Sequence, residues 1–149
     1  MKTTIGNASL PSVDEILCRF VMSRPQWEPL GRSLSQVDCY GFAHAVYGEG
    51  LKLPLADFDQ ESKDMSSISN WFRRQRREWQ ELIVPESYCL VALGKGRHVT
   101  HVGIYHPEGL IYHVTRVGVI GQPPGDMYAS GYSLVKYYQH RSLIRDPDN

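Results

Sequence analysis

The stretch THVGIYHPEGLIYHVT, residues 100–115, decides the architecture, because two runs rich in β-branched and aromatic residues flank a Pro-Glu-Gly turn. Pro107-Glu108-Gly109 suits a three-residue hairpin loop, a type I turn led by proline and closed by glycine in the left-handed position. His106 then faces Leu110, Gly103 faces His113 and His101 faces Thr115. Side chains alternate with period two, so His101 and His113 share a face as diagonal neighbours, roughly 7–8 Å apart at the backbone. Gly103 leaves the space opposite His113 empty. An even-numbered loop would send the two histidines to opposite faces.

Working outward, YCLVAL (88–93) and SLVKYYQH (133–140) have the same strand composition, and GKGR and GQPPGD between the runs read as turns. The first half is helical. Ser12 with Glu15 forms a capping box ahead of an apolar face of Ile16, Leu17, Phe20 and Val21, predicting a helix over 13–22. PQWEPLGRSLSQ (25–36) is an irregular loop leading to VDCYGFAHAVYGEGLKLPL (37–55). There Phe42, Ala45 and Val46 mark a buried stripe and Gly48 and Gly50 a stop, predicting a helix over 39–47. A third helix is expected over 62–80, its stripe Ile68, Trp71, Phe72, Trp79 and Leu82. Helices first and a meander of antiparallel strands after them make an α+β fold, a single domain over 1–149.

Sixteen basic and sixteen acidic residues cancel, so no overall field calls for nucleic acid or an anionic membrane. The RRQRR run at 73–77 is read as the solvated face of the third helix rather than a nucleic-acid patch. No apolar run approaches the ~20 residues of a membrane span, and the N-terminus lacks a signal peptide's apolar segment, so synthesis in the cytoplasm is expected. Three cysteines without a CxxC pair suggest free thiols. Cys18 and Cys89 read as core residues. No metal-ligand spacing is present, and neither metal nor cofactor is expected.

Cys39 differs, because Asp38 starts a helix there and a helix N-terminus with a nearby imidazole stabilises a thiolate. A nucleophilic cysteine takes its base from elsewhere in the chain, and His101 and His113 are the candidates that share a face.

The motif DCYGF followed by HVGIYHPEGLIYHV resembles the NlpC-type family of cell-wall cysteine peptidases, with the similarity running from about Trp27 to Val114 and nearest to the phage and prophage tail branch. That family's cysteine stands in D-C-x-G-hydrophobic at a helix start. Its base histidine opens an H-V-[GA]-hydrophobic strand, and a third polar residue follows about twelve positions later, as His113 follows His101 here. The resemblance implies a papain-like α+β fold and cleavage of a peptide bond in the peptidoglycan stem, with Cys39 as nucleophile, His101 as base and His113 holding the imidazole. The Cys39 amide is expected to help hold the oxyanion, and Asp38 to cap the helix or meet a substrate amine. Two positions depart from the pattern. Trp27 stands where the family often has tyrosine, and an indole donates but cannot accept; Tyr40 replaces a small serine at the substrate side. Phage tail-tip proteins are the partners expected on this reading, with delivery to the wall in a virion. The alternatives are a related amidase cutting the sugar–peptide junction and a non-catalytic tail-assembly protein that keeps the fold.

Overall fold

The structure, a computed structural model, describes residues 12–29, 31–55 and 73–144. Its first helix, α1 (Val13–Ser23), begins at the expected capping box: Glu15 N–H donates to Ser12 Oγ and Ser12 N–H donates to Glu15 Oε1, both at 3.1 Å. Val13, Ile16, Leu17 and Phe20 are its buried stripe. Val21 (36% exposed) and Cys18 fall outside that stripe, so neither is the core residue expected. Each sits about 100° around the helix from Leu17 or Phe20, enough to turn it to water.

A short parallel pair, β1 (Gln26–Trp27) and β2 (Gln36–Val37), delivers the chain to α2 (Cys39–Ala45). Gly48 does not stop the helical run, which ends at Gly50. The backbone widens into a π-helical turn over Val46–Gly50, with Leu51 N–H donating to the Val46 carbonyl at 3.3 Å, and α1 packs against that turn. Phe20 and Phe42 meet edge to face at 5.3 Å between centroids, joining the two helices in one core.

The sheet has the order β3-β8-β4-β5-β6-β7, antiparallel at every pairing. Its strands are β3 (Trp79–Leu82), β4 (Leu90–Lys95), β5 (His98–His106), β6 (Leu110–Thr115), β7 (Gly118–Gln122) and β8 (Leu134–His140). β3 corrects the end of the expected third helix: Arg73 and Arg74 are helical and Arg76–Glu78 form a 3-10 turn, but the chain is extended from Trp79. Residues 56–72, which hold Ile68, Trp71 and Phe72, lie outside the described residues, but Trp79 and Leu82 belong to a strand laid on β8. A spacing of three suits a helix until pairing decides otherwise; Trp79 is 3% exposed, wedged edge-on between Tyr47 and His140. Arg73, Arg74 and Arg77 are exposed.

The end of β7 and a short helix α3 (Pro124–Ala129) occupy GQPPGD, which the sequence offered as turn. α3 starts on a proline, a residue pre-set for a first helical position, and its buried Met127 joins Val91, Leu93 and Ile111 in a second cluster. The sheet is thus covered on both faces. Leu90, Ala92, Val102, Ile104 and Val114 meet α1 and α2, while Val91, Leu93 and Ile111 meet α3. His106, which flanks the turn, ties the hairpin to α1. Its Nε2 lies 3.0 Å from Asp14 Oδ1, which also accepts from the Tyr88 hydroxyl at 2.9 Å.

Candidate active site

The hairpin at 106–110 has the expected register, His106↔Leu110, Tyr105↔Ile111 and Ile104↔Tyr112, with Gly109 at φ 95 closing the turn. Beyond Ile104 the ladder stops, while β5 stays paired to β4 through His101 and β6 to β7 through Thr115. The space beside Gly103 is filled rather than empty as expected: a Cβ there would stand 2.8 Å from the Tyr112 carbonyl oxygen, 2.9 Å from Ile111 Cγ2 and 3.3 Å from His113 Cβ, so only glycine lets β6 lie this close. On that shared face His101 Nε2 and His113 Nδ1 are 3.0 Å apart. The rings cross edge to face, with centroids 5.2 Å apart.

Cys39 reaches the same place from the other layer. Asp38 caps α2 by accepting from Gly41 N–H at 2.7 Å, and Arg32 Nη1 donates to the same Oδ1 at 2.8 Å. The glycine of the DCYG motif follows from packing: a Cβ at Gly41 would collide with the Gly31 carbonyl oxygen and with the Arg32 guanidinium. Only a residue without a side chain lets the 31–37 loop lie against the first turn of α2. The Cys39 sulfur faces the backbone amides of Val102, next to His101, and of Tyr40, both of which favour its charged form. Tyr132 lies flat on His101, 5.9 Å between centroids and 5° between planes, and its phenol is pushed up by burial and by the Cys39 sulfur. The thiol therefore lies against the amide of Val102, the residue after His101, where the β5–β6 ladder ends.

The electrostatics of the free site differ from those expected of a thiolate at a helix mouth. Cys39 is 4% exposed, and burial, followed by the Asp38 carboxylate, pushes its thiol from the ordinary 9.0 up to about 12. Burial, then the neighbouring His113, pulls His101 from 6.5 down to about 3; burial also lowers His113. At neutral pH the resting thiol and both rings are uncharged.

Trp27, opposite Val37 in the β1–β2 pair and so near the start of α2, is 49% exposed. Tyr40 is 1% exposed, with the Arg32 guanidinium 5.7 Å from its ring centroid and His44 at 6.0 Å. Among the described residues, no group of three or more His, Cys, Asp or Glu side chains is arranged to hold a metal, and no helix is long and apolar enough to cross a membrane.

Two residues at the site escaped the sequence reading. Gln122 Oε1 lies 2.7 Å from His113 Nε2, and Tyr132 stacks on His101. Gln122 was legible in principle, because the β6–β7 hairpin pairs His113 with Ile120 and makes Gln122 its diagonal neighbour, the relation His101 bears to His113 one strand over. Tyr132 follows α3 and carries no periodic signal.

Compared by sequence, the chain matches no protein-family profile and no curated protein. Compared by structure, it is similar to NlpC1 and NlpC2 from Trichomonas vaginalis, with TM-scores of 0.54 and 0.56 at 17% and 14% identity. The alignments cover 86% of this chain but only 43% and 46% of those proteins. It is also similar to the NlpC/p60 domain of the peptidoglycan hydrolase SagA, with a TM-score of 0.52 at 16% identity over 85% of this chain and 97% of that one. The chain therefore has the NlpC/p60-type α+β fold, and it spans less than half the length of the two Trichomonas proteins.

Proposed function

We propose that the protein is a cysteine hydrolase that cleaves a peptide bond in the peptidoglycan stem, with Cys39 as nucleophile, His101 as general base and His113 as the group that holds the base. The observation that carries this reading is the 3.0 Å His101–His113 contact, together with a Cys39 sulfur that faces the amide of Val102, next to His101. A fold shared with the domain of a peptidoglycan hydrolase supports the choice of substrate.

Because thiol and imidazole start neutral, the reaction begins as general-base catalysis rather than from a standing ion pair. The sulfur attacks the carbonyl carbon while its proton passes to His101, and the carbonyl electron pair moves to oxygen, where the Cys39 amide assists. Collapse of the tetrahedral adduct expels the stem amine, which takes the proton from His101 and leaves a thioester. A water then gives its proton to His101 and attacks the thioester, and the same proton returns to the departing sulfur. Asp38, bonded to Gly41 and Arg32, shapes the helix mouth. Trp27, 49% exposed on the strand pair that leads to α2, is an aromatic available to a substrate chain.

Delivery to the wall as a phage or prophage tail component rests on the order of loop, DC helix and Leu53-Pro54 segment. Antibody detection of the protein on purified particles tests it. A second reading, a non-catalytic protein that keeps the fold, is favoured by the burial of Cys39. Muropeptide digestion followed by mass spectrometry, with wild type beside Cys39→Ala and His101→Ala, decides between the readings. New termini within the stem peptide from wild type alone are expected, and loss of the sugar–peptide junction would instead indicate an amidase. Equal product from all three proteins would refute the mechanism, and no product from any would favour the non-catalytic reading.

A further inference from the structure

We propose that Gln122 is a positioning residue that sets the tautomers of both histidines, so that His101 presents an unprotonated Nδ1 to Cys39. The proposal deepens the hydrolase reading and rests on it for its catalytic meaning.

An amide oxygen only accepts, so at 2.7 Å from Gln122 Oε1 the His113 Nε2 must carry a hydrogen. A neutral imidazole has one N–H, so His113 Nδ1 is then an acceptor. Its partner at 3.0 Å, His101 Nε2, must supply the hydrogen. That leaves His101 with its lone pair on Nδ1, the nitrogen not engaged by His113. Burial keeps both rings neutral, as this chain of bonds requires. Were the amide turned to present its NH2, every bond would reverse and His101 Nδ1 would carry a hydrogen, useless for accepting the thiol proton. The oxygen of one side chain two strands away thus selects the reactive form of the base.

The perch is rigid. Gln122 pairs with Ile111 at the end of β7, and Pro123 follows at φ −62, which holds the preceding residue extended. His101, His113 and Gln122 run diagonally across β5, β6 and β7, each two residues off the position directly opposite its neighbour.

The test is nitrogen NMR of protein labelled with 15N in its histidines, at pH 7, with ring signals assigned from His101→Gln and His113→Gln. In wild type both rings should show a protonated Nε2 and a bare Nδ1. Gln122→Met and Gln122→Leu, which keep bulk and remove the acceptor, should turn both rings into tautomer mixtures. Muropeptide cleavage should fall in kcat by on the order of 10- to 100-fold with KM unchanged. A protonated Nδ1 on either wild-type ring overturns the assignment, and so do unmoved tautomers in a folded variant. The wild-type spectrum suffices to refute it if neither variant folds. Wild-type rings as assigned, with peptidoglycan left intact, would overturn the hydrolase reading and uphold the bond order; cleavage with a protonated Nδ1 would do the reverse.

Discussion

Alkylation of Cys39 as a function of pH tests the electrostatics of the site most directly. The thiol stands at about 12 against an ordinary 9.0. That shift of about three units corresponds to roughly 4 kcal/mol against the thiolate, at about 1.4 kcal/mol per unit. At pH 7 an ordinary thiol is ionised to about one part in 10², and Cys39 to about one part in 10⁵. Only the thiolate reacts with iodoacetamide, so Cys39 should be modified about 10³-fold more slowly than an ordinary thiol, and burial slows it further. The exposed Cys18 provides the reference within the same molecule. Peptide mapping by mass spectrometry after timed quenching reads both sites at once. The logarithm of the Cys39 rate should climb with unit slope from pH 6 past pH 9. A plateau below pH 7, or Cys39 labelled before Cys18, would mean a standing thiolate–imidazolium pair and would refute the neutral site.

Two further outcomes follow from the same contacts. His101 is neutral in both folded and unfolded chains above pH 6.5; between 6.5 and about 3 only the unfolded chain takes up its proton, so stability falls as pH falls across that window, by up to roughly 5 kcal/mol. Thermal melting of His101→Gln should show a shallower acid decline than wild type, and parallel curves would reject the burial argument. Gly41→Ala should lower the urea midpoint by the equivalent of about 1–3 kcal/mol, since its Cβ meets the Gly31 backbone. Helix propensity alone predicts a gain of about 1 kcal/mol, so a stabilised variant would reject the packing account.

Much of this was written locally. The capping box of α1, the Asp38 cap of α2 and the Pro-Glu-Gly register depend on residues three or four apart, and each stands in the structure where the sequence set it. The failures share a cause. Trp79 and Leu82 carry a spacing that fits either helix or strand, and only pairing with β8, more than fifty residues on, resolves it. Within GQPPGD, glycine and prolines read as punctuation, although Gln122 ends a strand and Pro124 begins a helix. At the site, two histidines on one face were legible from the loop length. Desolvation was not, because burial depends on the whole assembly, and a helix-mouth argument weighs only the dipole that favours the thiolate.

The five groups at the junction of β5, β6 and α2 are a thiol, two imidazoles, an amide and a phenol, and at neutral pH none carries a formal charge. Dissolved salt acts by screening charges that already stand apart, and the charges nearest the sulfur, Asp38 and Arg32, are already paired at 2.8 Å. In the proposed mechanism new charge separates only as the proton leaves a sulfur shielded from solvent, within a Debye length of about 8 Å at physiological salt. Dissolved salt therefore has little hold on the proposed proton transfer from sulfur.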